Sequence, residues 1–455
     1  MILTPRVVSP FRLRRTPLAC CLTAALLTWD SATLAATYIV SNCNDSGIGS
    51  LRAEVAAASA NPQAGDLINF NLPPTCNSTI SITTGAVPVA HPNLRIAAPG
   101  NGSRVAITGF NDRIFNVTTA GSTFSLYNLD ISDGYVVGSA NVAGGCIASM
   151  GSVRLLNSSV TSCRIDGNAA YGGAVWTAKN LSLYNSYIAD NRATGALYAY
   201  GGGVYANGAL YLSYSTIARN VALGESTGNV TSAGGASAEG GGKIFNSTIS
   251  GNASTGSNGG IVFTGPAPLV EIAFSTISGN IAYGGTGGGG RSSAAITLVY
   301  ASTIAFNKTS AGKASNGHTV APGLEVTTGS FTLTSSILSN NTYGKSSTPN
   351  DLSIEAGVAA SGSHNLVFAA SSGVPGLLVS ACPLLGPLRD NGGPTFTHAL
   401  LSHSPAIDEG SIVLNAFIDQ RGFPNPSPAG GQSDIGAYEV QQDDIVFNAG
   451  FDGCQ

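Results

Sequence analysis

Charged side chains are scarce in this sequence, and their scarcity excludes one class of partner. Asp, Glu, Lys and Arg make up 10% of the 455 residues, whereas about a quarter is usual in a soluble protein. Apart from a few arginines near the amino terminus, the chain has no basic cluster, and its formal net charge is −4. Because nucleic-acid binding depends on such clusters to neutralise phosphates, we expect no nucleic-acid partner. Hydrophobic residues make up 43% of the chain, enough to fill a core.

Long apolar runs are lacking as well, since no segment beyond the amino-terminal region approaches the length of a membrane-spanning helix. A shorter run, Leu18–Thr28, follows the basic stretch Arg6–Arg15 and precedes the small residues Leu34–Ala36. This order predicts a Sec-type signal peptide over residues 1–36. A lipoprotein signal at Cys20-Cys21 is disfavoured, because most of the apolar run follows these cysteines. We expect an exported protein with no transmembrane segment in its mature chain.

Paired CxxC motifs are absent, and the five histidines are scattered along the chain. We therefore predict no metal site and no cofactor. Six of the eight cysteines follow the predicted signal peptide, and an even number in an exported chain favours disulfides. The sequence alone leaves their pairing open, and we favour Cys43–Cys76, Cys146–Cys163 and Cys382–Cys454.

The middle of the chain, by contrast, contains a strong internal repeat of about 29 residues. An apolar anchor position recurs at Ile131, Val160, Ile188, Ile217, Ile249, Ile277, Ile304 and Leu338. Two residues before the anchor stands a serine, at Ser158, Ser186, Ser215, Ser247, Ser275, Ser302 and Ser336. Three residues after it stands an asparagine, at Asn191, Asn220, Asn252, Asn280, Asn307 and Asn341. A glycine-rich step precedes most of the anchors, as in Gly172–Val175 and Gly201–Val204.

Apolar and polar residues alternate within the repeats, as in Leu181–Tyr184 and Leu210–Ser213. This period of two indicates short strands and excludes a helical solenoid. Strands that recur at a constant interval fit a coil that lays each strand on its copy in the next repeat, in parallel and in register. The anchor and serine positions are then interior, and the asparagines form a structural ladder of amides that bond from coil to coil. The sequence thus predicts an all-β, single-stranded parallel β-helix, or β-solenoid.

The repeats span residues 121–372. The regions on either side of them differ from the repeats in composition. Residues 37–120 are expected to form an amino-terminal cap and the first, less regular coils. Residues 373–440 lose the period and gain proline, glycine and aspartate, so we expect an irregular cap on the other end of the stack. Residues 441–455 form a carboxyl-terminal tail.

A short helix is predicted within the amino-terminal cap. Ser50 suits its N-cap, and Leu51, Val55 and Ala58 fall on one face. An open stack of strands pairs readily with other chains, so an amphipathic helix placed over the first coil would protect that end.

The repeat resembles that of chlamydial polymorphic outer membrane proteins. The shared features are the Gly-Gly-Ala-Val step at Gly172–Val175 and the Ile-x-x-Asn pattern at Ile188–Asn191, which recur over Gly144–Asn341. This resemblance implies that the predicted β-helix is right-handed.

Three further segments resemble parts of exported proteins. Ser41–Arg52 looks like the amino-terminal unit of exported bacterial β-helix proteins, and Ile445–Asp452 resembles a short tail on exported proteins of some Gram-negative bacteria. Pro383–Glu439 is similar to the choice-of-anchor Q domain, chiefly in its motifs Asp419–Gly422 and Asp434–Glu439. These resemblances imply a protein that is secreted or located on the cell surface of a Gram-negative bacterium, and they carry over no catalytic residues.

β-Helices also include polysaccharide lyases and hydrolases of the pectate-lyase-like class. Such chemistry needs converging carboxylates, or Asp-bound Ca²⁺ with a basic residue. The best cluster in this chain is Asp130, Asp133, Asp166 and Asp190, which we interpret as turn residues that bond their own backbone. Whether this acidic edge binds a cation stays open, and no catalytic residue is assigned.

An outward column one residue before the anchor gives another alternative. Thr216, Thr248, Thr276 and Thr303 follow Tyr187 in this column, and flat threonine rows can bind ice or crystalline polysaccharide. Threonines in such rows also stack on one another simply as good strand formers.

Other candidate side chains are aromatic or imidazole groups. Tyr184, Tyr187, Tyr211 and Tyr214 could stack on sugars, although aromatics on sheets usually serve packing. His398 and His403, which are close in sequence to Asp408, are interpreted as structural.

Together these features favour an exported, non-enzymatic β-helix that presents a surface for adhesion or cell-envelope contact. Its partner is unknown from the sequence, and a glycan or a component of a host or neighbouring cell fits the expectation. The lyase or hydrolase and the threonine face are the alternatives.

Overall fold

The structure is a computed structural model that describes residues 35–100, 102–224, 233–285, 287–310, 321–344, 348–370, 382–411, 418–426, 431–442 and 444. Nearly all of the predicted signal peptide and most of the predicted tail lie outside these residues. Among the described residues, no helix has the length and apolar character needed to cross a bilayer.

The chain winds into a right-handed β-solenoid in which each full coil crosses four sheets, numbered here in the order the chain meets them. The predicted fold class is confirmed. Neighbouring strands in all four sheets are parallel, apart from the short pair Thr342–Tyr343 and Thr348–Pro349. The first coils lack sheet 3, which begins at Tyr135.

Sheets 1 and 2 meet at a tight corner. Sheet 1 contains Thr37–Val40, Leu67–Phe70, Asn93–Ala97, Thr123–Tyr127, Ser152–Leu156, Leu181–Tyr184, Leu210–Ser213, Gly242–Phe245, Val270–Ala273, Ile296–Tyr300, Ser330–Thr334 and Ala359–Ser363. Sheet 2 contains Thr79–Ile82, Val105–Gly109, Leu129–Ser132, Ser159–Thr161, Tyr187–Ala189, Thr216–Ala218, Thr248–Ser250, Thr276–Ser278, Thr303–Ala305, Ile337–Ser339 and Leu366–Val367.

Sheets 3 and 4 complete each coil. Sheet 3 contains Tyr135–Val137, Asn141–Ala143, Arg164–Tyr171, Arg192–Tyr200, Val221–Gly224, Ala253–Ser254, Ile281–Ala282, Lys308–Thr309, Thr342–Tyr343 and Thr348–Pro349. Sheet 4 contains Val87–Val89, Phe115–Val117, Ile147–Ser149, Val175–Thr177, Val204–Ala206, Ala236–Ala238, Ile261–Phe263, Gly290–Ser292, Leu324–Val326 and Leu352–Ile354.

The anchor residues stack in register along sheet 2, from Ile131 opposite Val160 to Ile304 opposite Leu338. All eight anchors are fully buried. Alternating residues of each strand therefore fill one continuous core inside the coil, which is the arrangement that the period of two predicts.

Two polar ladders run beside this core. In the asparagine ladder, the Nδ2 of each residue donates to the Oδ1 of the next at 2.8–3.0 Å, from Asn191 to Asn341. Asn341 then donates to the Oδ1 of Asp351 at 2.8 Å. In the serine ladder, which starts at Ser158, each backbone N–H donates to the Oγ of the next serine at 3.1–3.2 Å. Both ladders satisfy polar groups that have no access to water.

The helix Leu51–Ala60 packs against the first strands of sheets 1 and 4. The Oγ of its N-cap, Ser50, accepts the N–H of Ala53 at 3.2 Å, and the helix buries its predicted apolar face. It therefore covers the amino-terminal end of the stack.

Disulfides link Cys43 to Cys76, at the end of the 3₁₀ turn Pro74–Cys76, and Cys146 to Cys163. Cys382 is also disulfide-bonded, and its predicted partner, Cys454, lies outside the described residues.

The position of the carboxyl-terminal segment differs from the expectation of a lid on the end of the stack. Its described residues between 382 and 444, called here the strap, lie along the outer face of sheet 2. The Nε2 of Gln420 donates to the Oγ1 of Thr248 at 2.9 Å, and the N–H of Ala437 donates to the Oγ1 of Thr303 at 3.1 Å. The proline and glycine content of this segment predicted an irregular structure. That content does not indicate which surface of the solenoid the segment covers.

The strap is held together by a buried ion pair. The Nε of Arg421 donates to Asp419 at 2.7 Å, and its guanidinium lies 3.7 Å from the ring centre of Tyr438. Burial raises the pKa of Asp419 against the opposing effect of Arg421. Burial likewise raises the pKa of Asp434 to about 6.

Candidate functional site

The predicted acidic edge is neutralised by arginines. Asp130 pairs with Arg104 at 2.5 Å, and Asp190 pairs with Arg219 at 2.7 Å. Partial burial would raise the pKa of Asp130, but hydrogen bonds from Arg104 and Ser159 outweigh it and lower the pKa.

Two further acids complete this edge. Asp166 pairs with Arg164 at 2.9 Å, and Asp133 accepts a hydrogen bond from Ser132 at 2.5 Å. Within the described ranges, no group of three His, Cys, Asp or Glu residues is placed to hold a metal ion. The structure therefore does not bring these aspartates together as a site.

The threonine column is in register as predicted, but the strap covers much of it. Thr248, Thr276 and Thr303 are buried, whereas Tyr187 and Thr216 stay partly exposed. A flat, exposed threonine face is therefore missing from this part of the structure. This coverage overturns the alternative of ice or crystalline-polysaccharide binding through that column.

The candidate tyrosines lie around the corner between sheets 1 and 2. The rings of Tyr184 and Tyr214 meet edge to face at 6.0 Å, and Tyr211 is 40% exposed. The hydroxyl of Tyr187 accepts a hydrogen bond from Arg219 at 2.6 Å. Tyr184 and Tyr214 thus pack on each other and Tyr187 bonds Arg219, so three of the four candidate rings have structural partners.

The two histidines do not form a site with Asp408. His398 is buried between the Oγ of Ser278 and the carbonyl of Gly386, at 2.8 and 2.7 Å, and burial lowers its pKa to about 4. His403 is exposed in a turn with φ +65°.

A different cluster of aromatic residues surrounds a cavity of about 410 Å³ on the side formed by sheets 3 and 4. We call it the aromatic groove, and its lining residues are Asn141, Val142, Ala143, Tyr171, Trp176, Tyr205 and Asn207.

Sheet 4 supplies the floor of the groove. Trp176 and Tyr205 are the central residues of two paired strands, opposite each other in register. Because side chains alternate along a strand, these two rings point outward while Val175 and Val204 fill the core. The rings are therefore fixed on neighbouring coils, about 4.8 Å apart along the solenoid axis.

Sheet 3 supplies the wall. Its strands Arg164–Tyr171 and Arg192–Tyr200 have 8 and 9 residues, whereas later strands of this sheet have 2 to 4. The extra length carries Tyr171 to the groove and Tyr200 beside it, and the two rings stack at 5.2 Å and 8°. Both rings meet Tyr205 edge to face, at 5.2 and 6.0 Å.

The polar groups of the groove are amides and hydroxyls. The hydroxyl of Tyr205 donates to Glu239, and burial, followed by this hydrogen bond, raises the pKa of Tyr205. Asn141 and Asn207 are exposed. None of the lining residues is charged, so the groove offers flat apolar faces and neutral hydrogen-bonding groups.

The repeat pattern did not predict this groove. A signal was present, because Trp176 and Tyr205 each follow a glycine-rich step, at the outward position next to a buried valine. The length of the sheet 3 strands, which brings Tyr171 and Tyr200 alongside, has no comparable signal in the repeat.

No protein-family model and no curated protein matches the chain. Among solved structures, the crystal structure of pectate lyase Pel9A is similar with a TM-score of 0.43 and 15% identity, over 90% of this chain and 98% of that one. A likeness at this level of identity and overlap carries no information about activity. The resemblances to polymorphic outer membrane proteins and to the choice-of-anchor Q domain stay predictions.

Proposed function

We propose that this protein is an exported, non-enzymatic binding protein that holds a neutral glycan in the aromatic groove and thereby contacts a cell surface or cell envelope. The observation that carries the proposal is the cluster of Trp176, Tyr205 and Tyr171 around one cavity, with Tyr200 stacked on Tyr171.

The shape and chemistry of the groove suit a sugar chain. Aromatic rings present flat apolar faces that pack on the C–H faces of sugar rings, and they lose little conformational entropy on binding. The amides of Asn141 and Asn207 can bond sugar hydroxyls at the rim. A few polar groups within an apolar cavity are typical of ligand sites.

The charge of the groove favours a neutral glycan over an acidic one. No lining residue is basic, so a uronic acid would find no partner there for its carboxylate. Glu239, bonded to Tyr205, places a negative charge beside the floor and would repel such a ligand.

The groups in the groove support binding rather than turnover. Glycoside hydrolysis usually uses two carboxylates roughly 5–10 Å apart, and the lining residues contain none. The raised pKa of Tyr205 also disfavours this residue as a general base near neutral pH.

Export is supported by the disulfides Cys43–Cys76 and Cys146–Cys163, because disulfides persist in oxidising compartments. Protease treatment of intact cells should degrade the protein if it is on the cell surface. Protection until the outer membrane is opened would contradict the surface location.

Calorimetric titration with neutral oligosaccharides and with polygalacturonate and alginate tests the proposed ligand class. We expect saturable binding of a neutral glycan, no binding of the polyuronates and no product release. Trp176→Ala should weaken binding at least about tenfold, whereas Tyr283→Ala should leave it unchanged, because Tyr283 is an exposed ring of another coil. Equal effects of the two substitutions, or cleavage of any glycan, would overturn the proposal.

A further inference from the structure

A second cavity, of about 520 Å³, lies between the solenoid and the strap, in the range of small-molecule sites. We call it the strap cleft. Its floor is the turn that follows sheet 2 in two consecutive coils, at Gly251 and Gly279. Its roof is formed by Leu385, Leu388 and Phe396 of the strap.

The cleft exists because two side chains are missing from an otherwise regular column. The same turn recurs with positive φ at Asp133, Ser162, Asp190, Arg219, Gly251, Gly279, Phe306 and Asn340. Since six coils place other residues in this conformation, the turn itself does not require glycine.

Space around the two glycines leads to the same conclusion. A Cβ on Gly251 would meet no atom closer than the Cγ of Arg219, at 3.6 Å, and a Cβ on Gly279 would meet the backbone nitrogen of Gly251 at 3.9 Å. The glycines therefore avoid no clash, and their effect is to leave an open trough under the strap.

The two ends of the trough differ in chemistry. Phe306 closes one end, and Arg219 stands at the other, three coils or about 14 Å away along the axis. The Nε and Nη2 of Arg219 bond Asp190 and Tyr187, while its Nη1 has no hydrogen bond to a described residue. The Arg219 side chain is 56% exposed, so an anion can approach the guanidinium.

We propose that the strap cleft binds a straight-chain fatty acid, with the acyl chain lying over Gly251 and Gly279 and the carboxylate at Arg219. The length of the trough and its apolar roof match a long apolar part, and the guanidinium of Arg219, which keeps its pair with Asp190 and offers Nη1 to the ligand, matches one anionic end. Charge-assisted hydrogen bonds to Nη1 fix the direction in which the chain lies.

Decanoate, used below its critical micelle concentration, is the probe, and binding to the full chain is measured by calorimetry. Gly279→Phe should abolish binding, because it places at Gly279 the ring that Phe306 carries in the next coil. Ser162→Phe is the matched control, since it creates the same residue in the same exposed turn away from the cleft. It should leave binding unchanged.

Arg219→Gln should weaken decanoate binding about tenfold and should leave binding of decanol unchanged. Circular dichroism and thermal unfolding check that each variant is folded. The proposal is overturned if decanoate does not bind, if Gly279→Phe binds it as well as the unmodified chain does, or if only phospholipid vesicles bind.

Discussion

Two side faces of the same solenoid differ in whether another part of the chain covers them. The outer face of sheet 2 presents small β-branched residues such as Thr248 and Thr276, and the strap buries them. The outer face of sheet 4 presents Trp176 and Tyr205, and beside them a cavity stays open. Coils of the same architecture thus give a structural contact where the outward residues are small and hydroxylated, and a candidate binding site where they are aromatic.

The largest expected effect on stability is at the covered face, where the strap contains a buried ion pair. Arg421→Leu should destabilise the strap by about 3–5 kcal/mol, because it leaves Asp419 buried without its partner. Hydrogen exchange should then accelerate in residues 418–426 and 431–442. Arg104→Leu removes an exposed pair and should cost at most about 1 kcal/mol; equal costs would show that the strap is not a buried contact.

A pH effect of intermediate size is expected at His398. Its pKa is about 4 in the folded protein and about 6.5 when unfolded, so between these values only the unfolded state is protonated. Stability should therefore fall as the pH decreases from about 6.5 towards 4, by up to roughly 3 kcal/mol. Asp434, with its raised pKa, contributes the opposite slope.

The contribution of His398 is isolated by comparing the unmodified chain with His398→Gln at each pH, using denaturant unfolding. The difference in unfolding free energy between the two proteins should change over this window. A constant difference would mean that His398 is not buried as a neutral ring.

Much of this structure was predictable because the same residue pattern recurs in many repeats. Each of the buried columns appears in six to eight copies, so the anchors and the ladder from Asn191 to Asn341 follow from position alone. The strap occurs once, and its docking depends on single contacts such as that of Gln420 with Thr276. A repeat pattern cannot predict contacts that occur only once. The aromatic groove was missed for a similar reason, since Trp176 and Tyr205 occupy their column in two coils only.

A smaller effect distinguishes covered from uncovered positions of one column. Thr276→Val should cost about 1–2 kcal/mol, because it leaves the Oε1 of Gln420 without the hydroxyl that bonds it at 2.6 Å. Thr216→Val, which lies outside the strap, should change stability by less than about 0.5 kcal/mol. Thermal unfolding of both variants checks this, and similar shifts would contradict the lateral position of the strap.

The proposed binding of a neutral glycan in the aromatic groove can be measured through the fluorescence of a single tryptophan. The sequence has two tryptophans, Trp29 and Trp176, so a Trp29→Phe variant of the full chain reports on the groove alone. Titration with a neutral oligosaccharide should change its tryptophan fluorescence saturably, and polygalacturonate should not. Fluorescence that stays constant across all neutral glycans, or that responds equally to polygalacturonate, would contradict the account.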